Sequence, residues 1–101
     1  MAGLAVLIHG MWGTAGVWHH WRPFLHDRGW QTIAQSLRHH DVSPDSPPLA
    51  LGDTSLLDYV ADLETMILAL PEKPVIIGHS MGGLLALLLC AKGLGRAGVL
   101  L

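Results

Sequence analysis

Val75-Ile76-Ile77-Gly78-His79-Ser80-Met81-Gly82-Gly83-Leu84 decides how this chain folds, because a strand, a tight turn and a helix meet in it. Val75 to Ile77 is β-branched and apolar, the composition of a short buried strand. Met81 to Lys92 is apolar nearly all round, which predicts a buried helix. Between them, Gly78-His79-Ser80-Met81-Gly82 is a G-x-S-x-G pentapeptide in the strand-turn-helix context that gives the motif its meaning. A serine that attacks as a nucleophile must stand clear of the backbone, where a base can reach its hydroxyl, and a very sharp turn achieves this. Such a turn crowds the chain against itself, and glycines two positions either side relieve the crowding. The serine then sits at a helix N-terminus, whose free N–H groups and dipole favour a developing oxyanion.

Working outward, Leu4-Ala5-Val6-Leu7-Ile8 is a second continuous apolar run, and it ends at His9-Gly10-Met11-Trp12-Gly13. An oxyanion hole needs two donors from different connections: the residue after the nucleophile, here Met81, and a loop at the end of a neighbouring parallel strand. The His9-Gly10 loop is placed to offer the second donor from Met11. Gly13 and Gly16 mark a loop. Val17, Trp18, Trp21 and Leu25 then follow helical spacing, with Pro23 as a break or second start and Gly29 as a stop. Trp30 to Ala34 is a strand candidate. Ser43-Pro44-Asp45-Ser46-Pro47-Pro48 is loop chemistry. Ser55-Leu56-Leu57-Asp58 resembles a capping box, and Leu56, Val60, Leu63, Ile67 and Leu70 recur as one helix face, closed by Pro71 and Pro74. Gly93, Gly95 and Gly98 end the last helix, and Val99-Leu100-Leu101 begins another buried strand. Strand and helix alternate throughout, predicting one α/β domain over 1–101: a mostly parallel sheet of about four strands with flanking helices in three αβα layers.

The chain has 101 residues, half of them hydrophobic and 14% charged, with a net charge of -2. A mean hydropathy of +0.41 is apolar for so short a chain, and a pI near 6.3 offers no basic face for nucleic acid. Cys90 is the single cysteine, so no intrachain disulfide forms, and its apolar neighbours give it the role of a small buried hydrophobe. No charged leader precedes Leu4, and the longest apolar run, Met81 to Cys90, is too short for a bilayer. A cytoplasmic location without membrane association is expected. His19 and His20 are expected to diverge on a helix, and with His26 they lack a metal-ligand spacing, so no metal is expected. Asp53, Asp58, Asp62 and Glu64 are assigned capping and surface roles, and His39 and His40 are read as solvent-facing or hydrogen-bonded loop residues.

The chain resembles the N-terminal part of an α/β-hydrolase-fold protein of the esterase and lipase type. The resemblance rests on Leu7-Ile8-His9-Gly10-Met11-Trp12-Gly13, on Leu57-Asp58-Tyr59-Val60-Ala61-Asp62-Leu63-Glu64, and on Val75 to Gly83. The Trp18–Trp21 and Arg38-His39-His40-Asp41 segments add to it. It implies a partial α/β-hydrolase fold with Ser80 as nucleophile and the backbone amides of Met11 and Met81 as oxyanion hole. His9, Gly10, Gly78, His79 and Gly82 are its structural supports, with His79 turned from the reaction side. Trp12 lines the acyl pocket or serves in packing.

Family members present the triad in the order Ser, Asp or Glu, then His, and after Ser80 this chain has none of the three. Without a base a serine is an ordinary alcohol, so the segment alone is expected to be inactive, with acid and histidine downstream of Leu101. The expected activity of the complete protein is hydrolysis of a small-molecule carboxylic ester through an acyl-enzyme, with no cofactor. An acyltransferase or perhydrolase on the same elbow and a truncated, non-catalytic fragment are the alternatives.

Overall fold

The computed structural model describes residues 3–40 and 54–101; Asp41, the Ser43–Pro48 turn stretch and Asp53 lie outside them. In chain order the elements are β1 (Gly3–Ile8), a 3-10 turn (Ala15–Trp18), α1 (Trp21–His26), β2 (Trp30–Ala34), α2 (Leu56–Leu68), β3 (Val75–Gly78), α3 (Met81–Ala91) and β4 (Ala97–Leu100). The four strands form one parallel sheet in the order β2-β1-β3-β4. The chain therefore moves one way from β1 to β2 and the other way from β3 to β4. Loops leaving β1 and β3 part company at that reversal, and ligands of open parallel sheets bind in the crevice so formed. The register sets Ile8 opposite Gly78, so His9 and His79 leave the sheet side by side.

Successive side chains of a strand point to opposite faces, and each face here has its own cover. Val6, Ile8 and Ile76 pack under α2 and α3 with Tyr59, Val60, Leu63, Ile67, Leu85, Ala86 and Leu89. Ala5, Leu7 and Ile77 point the other way, toward Trp18 and Leu25. This is the three-layer arrangement that the unalternating apolar strands predict. Ser55 caps α2: its hydroxyl accepts from the Asp58 N–H at 3.3 Å, and the Asp58 carboxylate accepts from the Ser55 N–H at 2.9 Å. The Ser55 amide holds the Asp58 carboxyl below the usual range; burial opposes it, and Arg38 adds to the lowering. Pro23 is the third residue of α1, inside the first turn where an N–H has no intrahelical acceptor.

Three expectations need correction. The helix Met81–Ala91 is not buried all round: Leu85, Ala86 and Leu89 are enclosed, whereas Leu84 and Leu87 are 43% and 51% exposed. The last strand is exposed at every residue, as the sheet edge beyond which no further described strand pairs. Apolar composition reports what a segment tolerates, and not how many neighbours cover it. His19 and His20 do not diverge. They occupy the turn between the 3-10 segment and α1, which brings their rings to 3.8 Å between centroids.

His39 has a φ of 65°, left-handed backbone that disfavours a side chain. His39→Gly removes that penalty but adds freedom to the unfolded chain, so the net expected gain is about 0.5–1 kcal/mol. A raised midpoint in denaturant unfolding of the full-length protein checks it; an unchanged or lowered midpoint contradicts it.

Candidate active site

Ser80 sits between β3 and α3 with φ 56° and ψ -119°, a conformation far from those an L-residue prefers. Such a residue stores about 1–3 kcal/mol of strain and persists only when its surroundings over-determine it. The surroundings are explicit. The His79 N–H donates to the Ile8 carbonyl at 3.0 Å, and the Ser80 N–H donates to the Leu101 carbonyl at 3.0 Å. The turn is thereby stapled to the strands on both sides, while the Gly82 and Gly83 amides close onto the His79 and Ser80 carbonyls at 2.9 Å each. The Ser80 side chain is exposed and makes no hydrogen bond among the described residues.

Three glycines allow this packing. A Cβ on Gly78 would overlap the Gly82 carbonyl and stand 2.6 Å from the Gly83 nitrogen. A Cβ on Gly82 would overlap the Ile8 carbonyl and stand 2.6 Å from the His9 oxygen. At Gly10 the same atom would lie 3.3 Å from the Ser80 Cβ and 3.3 Å from the His79 oxygen. The loop after β1 thus passes directly beside the serine. Met11 follows Gly10 in that loop, and Met81 opens α3. Neither the Met11 nor the Met81 N–H has an acceptor among the described residues, as a first helical residue requires for Met81.

His9 is fully buried, and both its nitrogens are engaged. The Leu37 N–H donates to Nε2 at 2.9 Å, so Nε2 carries no proton; Nδ1–H then donates to the Gly10 carbonyl at 2.7 Å. One neutral tautomer therefore ties the loop after β2 to the loop beside Ser80. Burial is the largest influence on His9 and holds its pKa below the ordinary value; His40 acts the same way, and the Gly10 carbonyl opposes them. Because the unfolded chain takes up this proton near pH 6.5 while the folded one resists it, the stability from neutral His9 is complete above that pH and is lost as pH falls through it. Thermal midpoints of the full-length protein are expected to fall between about pH 7.5 and 5.5, less steeply in His9→Asn. Equal slopes in parent and variant contradict this.

Next to His9 lies a cluster that sequence reading did not assemble. His40 is 5% exposed, its ring 5.2 Å from that of His9 and 5.6 Å from that of Tyr59 on α2. Its Nδ1–H donates to the Arg38 carbonyl at 3.0 Å. The Arg38 guanidinium grips Asp62 with two bonds of 2.9 and 2.7 Å, and Asp58 lies at 3.9 Å. Tyr59 stands three residues after Leu56 and so shares the helix face read from Leu56 and Val60; that spacing could have found it.

The remaining candidates are more peripheral. The His79 ring is exposed and borders a cavity of about 200 Å³ with Val17, Trp18, Trp21 and Leu101, on the α1 side of the sheet. Trp12 is 75% exposed. Glu64 meets Lys92 at 3.4 Å. Cys90 is half-buried, beside Gly95 and Gly98. Among the described residues no three His, Cys, Asp or Glu gather as metal ligands, and no helix is long and apolar enough to cross a membrane.

The model of the alpha/beta hydrolase family matches residues 5–101. No curated protein matches the chain. Among solved structures, a histidine-to-alanine variant of polyneuridine aldehyde esterase is 26% identical with a TM-score of 0.77, covering 97% of this chain and 39% of its own. A monoacylglycerol lipase of Paleococcus ferrophilus is 25% identical with a TM-score of 0.80, covering 96% of this chain and 37% of its own. A methylesterase from Arabidopsis shares the fold at 20% identity and a TM-score of 0.80, with coverage of 96% and 42%. The chain thus spans about two fifths of the length of these structures.

Proposed function

The chain belongs to the alpha/beta hydrolase family, and on that premise we propose that it carries the nucleophile half of a serine carboxylester hydrolase. The observation that carries this reading is the strained Ser80 backbone with Gly10 packed against its Cβ. Strain at an exposed hydroxyl that has no partner among the described residues serves presentation of that hydroxyl. Ser80 Oγ attacks the acyl carbonyl carbon and passes its proton to a base. The carbonyl oxygen becomes an oxyanion that the Met11 and Met81 amides receive. Collapse breaks the carbon–oxygen bond to the leaving alcohol, which takes the proton; water then hydrolyses the acyl-enzyme by the same steps. This chemistry calls for no cofactor.

His9 cannot be the base, since one nitrogen accepts from Leu37 and the other donates to Gly10. No described histidine or carboxylate hydrogen-bonds the Ser80 hydroxyl, and the proposal assigns the base and its acid to sequence outside these residues, approaching Ser80 at the carboxyl ends of β1 and β3. The similar esterase and monoacylglycerol lipase support an ester as substrate. In this proposal Trp12, which is exposed, lines the acyl pocket. A small-molecule substrate without nucleic acid or membrane and a cytoplasmic location complete the proposal. A fluorophosphonate tests it: the full-length protein should acquire one adduct, on Ser80, and lose ester turnover in step. An adduct on another residue, with turnover lost, overturns the assignment.

A further inference from the structure

Tyr59 Oη and His40 Nε2 are buried polar atoms without a hydrogen-bond partner among the described residues, on residues 1% and 5% exposed whose rings meet edge to face. An unpaired buried polar group is costly, and native proteins relieve that cost with a partner or an ordered water. The proton inventory of the pair is specific. His40 spends its Nδ1–H on the Arg38 carbonyl, so in the neutral ring Nε2 is a bare acceptor. Burial pushes the Tyr59 phenol up, which keeps its proton and makes it a donor; Arg38 opposes this and Asp58 adds to it. One acceptor and one donor, adjacent but not bonded to each other, match the two faces of a single water molecule.

We propose that His40 and Tyr59 hold one buried water, and that this water-bridged pair positions the loop beside Ser80. The route is short. The water fixes the His40 ring against α2, and the His40 ring packs on His9. His9 in turn carries Leu37 on one nitrogen and the Gly10 carbonyl on the other, one residue before the Met11 amide. The ionic grip of Arg38 on Asp62 anchors the same loop to α2 from outside. His40 and Tyr59 are thus positioning residues that touch no substrate; the effect on Met11 rests on the function proposed above, whereas the water site itself does not.

Two measurements on the full-length protein test this. A high-resolution crystal structure should show one water within hydrogen-bond distance of both Tyr59 Oη and His40 Nε2. A direct Tyr59–His40 bond, or a group from residues 41–53 in the water's place, overturns the site. Tyr59→Phe leaves the ring and removes the donor. Since losing an oxyanion donor outright costs about 10²–10³ in kcat, displacing one should lower kcat roughly tenfold with KM nearly unchanged. Unchanged kcat in a folded Tyr59→Phe protein overturns the positioning role. Fluorophosphonate labelling of Ser80 in the parent keeps the two proposals apart: if Ser80 labels and Tyr59→Phe is silent, only the present inference fails.

Discussion

Ser80→Ala in the full-length protein is expected to abolish ester turnover, by about six powers of ten in kcat if its triad behaves as a unit. The size of the effect follows from what remains. In the proposed mechanism two amides and a binding surface would still stabilise an oxyanion, but the catalysis that remains is only about 10³–10⁴ above water. The Ser80 side chain makes no hydrogen bond among the described residues, so its loss breaks no internal contact, and the alanine protein should be expressed and folded. Alanine at a φ of 56° inherits the strain that serine already bears. Turnover by purified Ser80→Ala at the parental rate would assign the chemistry to another group.

Gly82→Ala is expected to damage the fold severely. The added methyl group would be driven into the carbonyls of Ile8 and His9, which are backbone atoms of the central strand and its exit loop. A flexible side chain could swing aside; a strand hydrogen-bonded on both edges cannot. Overpacking a core commonly costs about 1–3 kcal/mol, and a clash with fixed backbone belongs at or above the top of that range. Against a total stability of about 5–15 kcal/mol, the variant should be recovered poorly and unfold at distinctly lower denaturant. Whatever protein survives should be slow as well, because the shift that relieves the clash separates the Gly10 loop from Ser80. An unaltered unfolding midpoint with full activity would show that Gly82 is not packed on β1 as described.

Much of this architecture was open to reading from the residues. Leu4–Ile8 and Val75–Ile77 lack alternation because both faces of their strands are covered, and they form the two central strands. Ser55 and Asp58 announce the start of α2 because reciprocal capping is a local matter of three residues. The elbow glycines are legible for a similar reason: the turn itself demands them. What escaped depends on distant neighbours. No local pattern reveals that His9 Nε2 accepts from Leu37, 28 residues on. Nor does any reveal that His40, read as a loop histidine, is sealed between His9 and Tyr59. The exposed outer side of α3 escaped too, since eleven residues of apolar helix look alike whether one flank or all of them is covered.

The decisive measurement is a crystal structure of the full-length protein after phosphonylation. The phosphorus is expected to be bonded to Ser80 Oγ, with its oxygen within about 3 Å of both the Met11 and the Met81 backbone nitrogens. A phosphoryl oxygen that meets neither amide, or that is held by groups on another loop, would contradict it.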